Sequence, residues 1–305
     1  MTKGLMEEMR ECLEKNENIL ARLRGMTGLA GNTPEAILVS YDLQAGSYTR
    51  NLGDDRFRAV KEAYSANLAK VIDALPHASL LEAGVGEATT LAALAPRLAV
   101  RPARTFGFDI SWSRLAVATR HAASQGVAAQ FFTGALERIP APDDAFELVY
   151  TSHSIEPNTG REKEILRELM RVTRNNLVLV EPSYELGSEA TRAHIQRHGY
   201  VTNLLGAARE LGLNLLAHRL FEPNVNPNNQ AALMVFEKTA ARTPDPERQT
   251  ACPACGQGLE TIKGHCFCHR CHLLYPVIEG IPCLLAGNGI LASGFPTSLP
   301  PEPHE

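Results

Sequence analysis

The chain has 305 residues with a formal net charge of −4, and 44% of its residues are hydrophobic. This length exceeds that of a usual single domain, so we expect one larger domain and a small additional module. The acidic balance argues against a nucleic-acid partner, which normally requires a basic face. Because no run approaches about eighteen apolar residues and the N-terminus lacks a secretion signal, we expect a cytoplasmic protein without a membrane span.

The N-terminal part of the chain predicts helices and a loop. Residues 4–24 carry apolar residues at helical spacing, which predicts one amphipathic helix packed on the domain or on a second subunit. A homodimer is therefore one expected assembly. Residues 40–50 are polar and aromatic around a central glycine, and a helix is expected from about Asp54 to Leu75.

The next segment has the pattern of a nucleotide-type cofactor loop. An apolar run ends at Glu82, the chain turns through Gly84 and Gly86, and helical spacing then resumes. Glycine permits the sharp strand-to-helix turn and lets a ligand touch the backbone. Glu82 would repel a pyrophosphate, whereas it suits a ligand with an ammonium and a sulfonium, such as S-adenosylmethionine.

A second apolar strand, residues 104–109, ends in Asp109. An acidic side chain at the carboxyl edge of a parallel sheet can accept hydrogen bonds from a ribose diol. The separation between Glu82 and Asp109 suits one strand–helix–strand unit, so both residues are expected at one site.

From residue 80 onward, strands and helices alternate, which is typical of a parallel sheet with helices on both faces. A closing antiparallel hairpin is expected after a helix over about 188–212. The predicted strands are 80–83, 105–108, 129–132, 147–151, 176–180, 213–220 and 231–238, and the predicted helices between them are 87–97, 113–125 and 161–173.

At these motifs the chain resembles the class I S-adenosylmethionine-dependent methyltransferases, over about residues 38–238. The resemblance rests on Glu82–Gly86, Phe108–Ser111 and residues 134–149. It implies an α/β fold with a Rossmann-like seven-stranded sheet. The implied cofactor contacts are Glu82, Gly84 and Gly86 at the methionine end, Asp109 at the ribose, Ile110 and Leu136 at the adenine, and also Thr151. Ala88 stands where a third glycine is often found, and Ala135 where an acidic residue is common.

The same resemblance implies a lid. Many related methyltransferases place a tyrosine-containing segment over the cofactor, so Tyr41 and Tyr48 are candidate lid residues. Ordinary packing of an aromatic pair beside a loop is the alternative.

Candidate catalytic residues follow the fourth strand, where the methyl donor and the acceptor would meet. His153 is the first candidate for a base or a substrate-orienting group, and Glu156 is the second. The alternative for His153 is a packing role.

Two further sets of residues are candidates for the acceptor pocket. His194 and His198 could line it or simply be exposed helical histidines. The asparagines at 224, 226, 228 and 229 could bind a polyhydroxylated acceptor or only form turns.

Two C-x-x-C pairs near the C-terminus predict a structural zinc site. Cys252, Cys255, Cys268 and Cys271 can close a tetrahedral site on two tight turns, and such a site has no vacant position for chemistry. Cys266, His265, His269 and His272 are alternative ligands. Residues 273–285 resemble the small zinc-ribbon methyltransferase-activator proteins, which implies an activator-like ribbon fused to the enzyme. Packing on the catalytic domain or on a dimer mate is favoured over nucleic-acid contact.

The expected organisation is an N-terminal helical and lid segment (1–53), the methyltransferase domain (54–240), a linker (241–249), the zinc ribbon (250–288) and a disordered tail (289–305). Three functions remain open. The leading hypothesis is a methyltransferase acting on a small molecule or glycan, with a structural zinc. The alternatives are an RNA base methyltransferase with a zinc knuckle, and a noncatalytic scaffold whose ribbon docks a partner.

Overall fold

The computed structural model describes residues 3–15, 17–29, 31–239 and 249–297. The helices are α1 (Lys3–Glu14), α2 (Ile19–Thr27), α3 (Pro34–Leu43), α4 (Ser47–Asn51), α5 (Asp55–Asp73), α6 (Thr89–Leu94), α7 (Trp112–Ser124), α8 (Glu162–Val172), α9 (Glu189–His198) and α10 (Leu204–Glu210). The first seven strands are β1 (Ser79–Ala83), β2 (Arg104–Asp109), β3 (Gln130–Thr133), β4 (Phe146–Ser152), β5 (Thr173–Pro182), β6 (Asn214–Phe221) and β7 (Ala231–Glu237).

These seven strands form one sheet with the order β3-β2-β1-β4-β5-β7-β6. The first five strands are parallel, and β7 runs antiparallel to both β5 and β6. The order reverses between β1 and β4, and ligands of open α/β sheets bind in the crevice at that point. The predicted sheet and its closing hairpin are therefore confirmed.

Two apolar layers cover the two faces of the sheet. Neighbouring side chains of a strand point to opposite faces, so Leu80 packs in the layer with α5, α6 and α7, whereas Leu81 packs in the layer with α8. Both leucines are fully buried. The carboxyl ends of β1, β2 and β4 consequently form a rigid edge on which a site can be built.

The single amphipathic helix expected over residues 4–24 is wrong, because two helices occupy this region. The first helix ends at Glu14, and Asn18 starts the next one: its side chain accepts a hydrogen bond from the Ala21 backbone N–H, as a helix N-cap does. Met9, Cys12 and Ile19 still share a buried cluster with α3. The apolar face predicted from the sequence is therefore buried, and it packs against another helix of the same chain.

The long helix expected over residues 188–212 is also interrupted. Gly199 takes a left-handed conformation with φ of 64° and ends α9. The chain then returns toward the sheet, where the Val201 backbone N–H donates to the Glu156 carbonyl oxygen at 2.9 Å. This turn brings the end of α9 beside the loop that follows β4.

The C-terminal module, residues 249–297, forms two small sheets. Their strands are β8 (Glu260–Ile262), β9 (His265–Cys268), β10 (Leu273–Tyr275), β11 (Val277–Ile278), β12 (Ile281–Pro282) and β13 (Ile290–Leu291). The pairing of β13 with β10 contradicts the expectation of disorder from residue 289, since Leu273 and Leu274 give these residues a strand to bind. Residues 240–248, which include most of the expected linker, and residues 298–305 lie outside the described residues.

The module packs against the β3 edge of the large sheet. Thr133 at the end of β3 forms a parallel bridge with Cys283. The Arg138 side chain donates to the carbonyl oxygens of Pro253 and Ala254, and the Ala251 N–H donates to the Pro140 carbonyl at 2.9 Å. An edge strand that would otherwise be open to other chains is therefore covered by the same polypeptide.

None of the helices in the described part of the chain has the length and apolar composition needed to cross a bilayer.

Candidate active site and metal centre

The loop after β1 is shaped by two glycines. Gly84 and Gly86 have φ values of 73° and 54°, and the Gly84 N–H donates to the Phe108 carbonyl at 2.9 Å. A Cβ atom on Gly84 would lie 2.3 Å from the Ser154 Cβ, so only glycine fits between the two loops. Ala88 also has a positive φ, 56°, which explains why glycine suits this position in the resembling family.

Asp109 lies at the end of β2, directly beside the glycine loop. Its carboxylate accepts the backbone N–H groups of Gly86 and Ser111, both at 2.9 Å. The side chain is buried, and this burial raises the pKa of the carboxyl group. Asp109 therefore fixes the loop and still borders the cavity described next.

Two cavities meet above this edge of the sheet. The smaller, about 550 Å³, is lined by Phe108, Asp109, Ile110 and Leu136, among others. The larger, about 1220 Å³, is lined by Tyr48, Glu82, Gly86 and Glu156, among others. The residues that line both cavities are Tyr41, Gly84, Arg114 and His153. Ten of the eleven residues expected at the cofactor or in catalysis thus border one continuous region.

Thr151 is the exception among the expected cofactor contacts. It is fully buried within β4 and lines neither of these two cavities. Residues alternate between the faces of a strand, and the next residue, Ser152 at the end of β4, lines the larger cavity instead.

A half-buried cation, Lys61, lies within electrostatic range of Glu82, and the sequence reasoning missed it. Glu82 accepts a hydrogen bond from the Tyr150 hydroxyl at 2.8 Å, and burial raises the pKa of its carboxyl group to about 8. Lys61 lines the same cavity and donates to the Thr90 hydroxyl at 2.6 Å, while burial lowers the pKa of its ammonium to about 8. A signal was available: Lys61 stands on the apolar face of α5, at helical spacing from Tyr64 and Leu68.

His153 is held in a constrained position at the junction of the cavities. Its φ is 57°, a left-handed conformation that non-glycine residues rarely adopt. The Nδ1 atom lies 3.3 Å from the Glu156 Oε2 atom, which also accepts from the Asn229 side chain at 3.2 Å. Because a carboxylate only accepts, the imidazole hydrogen is assigned to Nδ1, and Nε2 keeps its lone pair.

A second carboxylate supports the loop that carries His153. Glu181, fully buried in β5, accepts the backbone N–H groups of Ser154 at 3.0 Å and Ile155 at 3.1 Å. Burial raises the pKa of Glu181 to about 7. The histidine is therefore positioned by the backbone of its own loop as well as by Glu156.

The tyrosine segment expected as a lid is helical. The ring centroids of Tyr41 on α3 and Tyr48 on α4 each lie 4.7 Å from the Arg114 guanidinium carbon. Glu87 of the cofactor loop accepts the backbone N–H groups of Gly46, Tyr48 and Thr49 at 2.7–3.3 Å. The segment predicted as a lid is thus hydrogen-bonded directly to the loop after β1.

Aromatic and polar side chains form the far wall of the larger cavity. His194, His198 and Tyr200 all line it, and the His198 and Tyr200 rings stack with centroids 5.2 Å apart. Both histidines are half-buried, which favours a lining role over the alternative of exposed helical histidines. Of the four asparagines in the hairpin loop, Asn226 and Asn229 line the cavity, whereas the Asn224 side chain accepts from the Ala231 backbone and supports the turn.

The four expected cysteines come together in the C-terminal module. The Sγ atoms of Cys252, Cys255, Cys268 and Cys271 lie within 4.8 Å of one another, and those of Cys255 and Cys268 are 3.6 Å apart. A tetrahedral zinc with bonds of about 2.3 Å places its sulfurs about 3.8 Å apart, so the cluster could hold a metal ion. Two of the alternative ligands have other partners, since His269 pairs with Glu260 and the His265 ring accepts from the Val277 N–H.

Comparisons with known proteins bear on the seven-stranded unit and its two cavities. Residues 80–176 match the model of a family described as a methyltransferase domain, and no curated protein matches the sequence. The chain is similar in structure to magnesium protoporphyrin IX methyltransferase from Synechocystis PCC 6803 with bound SAH, at 14% identity and a TM-score of 0.51, over 65% of this chain and 98% of that chain. It is also similar to a chain from the complex between the Haloferax volcanii Trm112 methyltransferase activator and a methyltransferase, at 14% identity and a TM-score of 0.48, over 65% and 96% of the two chains. The first of these structures confirms the predicted methyltransferase fold, and the family match confirms the predicted enzyme class.

Proposed function

We propose that this methyltransferase transfers the methyl group of S-adenosylmethionine to an oxygen or nitrogen atom of a small molecule or glycan. The observation that carries the proposal is the position of His153, which Glu156 orients at the junction of the two cavities. The smaller cavity suits the adenosine, since Ile110 and Leu136 offer apolar contacts and Asp109 offers a carboxylate. The larger cavity suits the methionine end of the cofactor together with the acceptor.

The proposed reaction is an in-line displacement. The acceptor atom attacks the methyl carbon, the bond from carbon to sulfur breaks, and S-adenosylhomocysteine leaves as a neutral thioether. The proton of the acceptor hydroxyl or amine passes to the Nε2 atom of His153. Glu156 acts through the histidine as a positioning residue, because its carboxylate stabilises the imidazolium that forms.

The shape and charge of the site support a compact acceptor. The larger cavity is bounded by the lid, by α5 and by the end of α9, and its wall offers rings and amides. Aromatic faces and amide groups suit a ring-shaped or hydroxylated acceptor. The net charge of −4 gives little support to the RNA alternative. The expected cofactor residues border a cavity, and this gives no support to the alternative of a noncatalytic scaffold.

The direct test uses methyl-labelled S-adenosylmethionine and a host extract separated into small-molecule, glycan, protein and RNA fractions. We expect label in the small-molecule or glycan fraction with the wild-type protein and little label with a His153→Ala variant. Label in RNA would replace the proposal with the RNA alternative. Absence of both incorporation and cofactor binding by a folded protein would favour the scaffold.

Replacing Asp109 with alanine should weaken binding of S-adenosylhomocysteine. Each lost hydrogen bond to a carboxylate costs about 1.5–3 kcal/mol, so the dissociation constant should rise roughly tenfold to a hundredfold. Calorimetry measures the change, with Asp55→Ala as the control, since Asp55 is exposed and pairs with Arg58 at the surface. Unchanged affinity in Asp109→Ala would refute the ribose assignment.

A further inference from the structure

Arg114 is a buried cation at the meeting point of the two cavities. It lies in the first turn of α7, is only 7% exposed and lines both cavities. Tyr41 and Tyr48 flank its guanidinium, and a Cβ atom on Gly86 would lie 3.2 Å from its Nη1 atom. The group therefore sits between the lid and the glycine loop, where a cofactor would pass from one cavity to the other.

The guanidinium lacks the hydrogen bonds that a buried arginine needs. Among the described residues, its Nε and Nη2 atoms have no hydrogen-bond partner. An arginine carries five N–H donors in a fixed fork and stays charged at any ordinary pH. Two aromatic faces attract the charge but accept no hydrogen bond along the edge of the fork.

The neighbouring carboxylates do not fill this gap. Asp109 and Glu87 both act on the charge of Arg114 through space. The Asp109 oxygens accept from the Gly86 and Ser111 backbone, and the Glu87 oxygens accept from the lid backbone. A residue kept only for packing would not need a charge here, and burying a charge without partners is costly.

We propose that Arg114 binds an anionic oxygen group, a carboxylate or a phosphate, of a ligand held at the junction of the cavities. This inference rests on the proposed function, because it concerns the same site. The planar fork matches the two oxygens of such a group, and the two tyrosines would hold the fork in plane. The bound anion would then give Nε and Nη2 their partners.

Two sources can supply the anionic group. One is the single carboxylate of the cofactor, and the other is an acid group on the acceptor. Lys61 provides a second cation in the larger cavity, where it donates to Thr90 and lies within electrostatic range of Glu82. The cofactor has one carboxylate, whereas the site has two cations, Arg114 and Lys61. One cation is therefore free for the acceptor, so both sources must be tested.

The first test compares S-adenosylhomocysteine with 5′-methylthioadenosine, which lacks the amino-acid part. Calorimetry is performed on the wild type, on Arg114→Met and on Arg120→Met, an exposed arginine of the same helix. If the cofactor supplies the anion, Arg114→Met should weaken S-adenosylhomocysteine roughly tenfold or more and leave 5′-methylthioadenosine unchanged. Equal weakening of both ligands would overturn the proposal, because it would show a packing role alone.

The second test applies if Arg114→Met binds both nucleosides as the wild type does. Inorganic phosphate and malonate are titrated into protein saturated with S-adenosylhomocysteine. Binding to the wild type that is lost in Arg114→Met assigns the anion to the acceptor, whereas binding to neither protein overturns the proposal. Arg114→Gln serves if the methionine variant fails to fold. Failure of the wild type to bind S-adenosylhomocysteine would instead refute the proposed function.

Discussion

Replacing His153 with alanine is expected to slow methyl transfer by about a hundredfold to ten-thousandfold, the usual contribution of a general base. Affinity for S-adenosylhomocysteine should remain close to that of the wild type, because the proposed role is exerted on the acceptor. The geometry behind this expectation is the contact between His153 and Glu156 at 3.3 Å, with Asn229 holding the same carboxylate oxygen. Initial rates with labelled cofactor and calorimetric binding measure the two quantities separately.

Matched variants sharpen this test. Glu156→Gln should reduce the rate less than His153→Ala, because an amide still contacts the imidazole but stabilises its charged form less. His121→Ala is the control, since His121 lies on α7 and lines neither cavity. If His153→Ala retains the wild-type rate, the histidine packs in the loop and the acceptor needs no base from this residue.

Loss of metal is expected to have the largest effect on stability. We predict one zinc per chain by elemental analysis, and its loss in a Cys252→Ser, Cys255→Ser double variant. Structural zinc contributes roughly 10–16 kcal/mol in small metal-dependent modules, so the C-terminal module should unfold without it. Its buried residues Cys252, Cys268 and Tyr275 share one apolar cluster with Phe132 and other residues of the large sheet. Unfolding of the module should therefore also lower the melting temperature of the methyltransferase fold.

Limited proteolysis measures unfolding of the C-terminal module, and thermal melting measures the melting temperature of the methyltransferase fold. Cys283→Ser is the control within the same module, because Cys283 lies outside the four-cysteine cluster and serine keeps a donor for the Ile281 carbonyl. Purified wild-type protein that contains iron, or no metal, would contradict the zinc assignment. Zinc loss without a change in proteolysis or melting would show that the metal does not hold the module together.

The local elements could be predicted well where short-range physics decides them. Gly84, Gly86 and Asp109 follow from strand ends and tight turns, and the structure places them together at the β1 and β2 edge. Helix breaks were harder to predict. Asn18 and Gly199 lie inside apolar patterns that continue past them, and their capping geometry became evident only in the folded chain.

Contacts between distant segments were the least predictable. The apolar face of α5 indicates that Lys61 is covered, but not that it lies near Glu82. The sequence likewise does not indicate that Glu87 bonds to the backbone of residues 46–49, or that Arg114 lies between two tyrosines. Each of these pairs joins separate elements, and only the packing of α3, α4 and α5 over the sheet edge brings them together.

The sequence by itself determined the cofactor class, the parallel sheet and the four-cysteine cluster, because strand spacing, glycine turns and C-x-x-C knuckles act over a few residues. Tertiary structure decided which side chains border the two cavities, which charges lack partners, and that the C-terminal module covers the β3 edge. The physical reason is that burial and charge pairing depend on segments far apart in the chain. Those are the properties that give His153 and Arg114 their proposed roles.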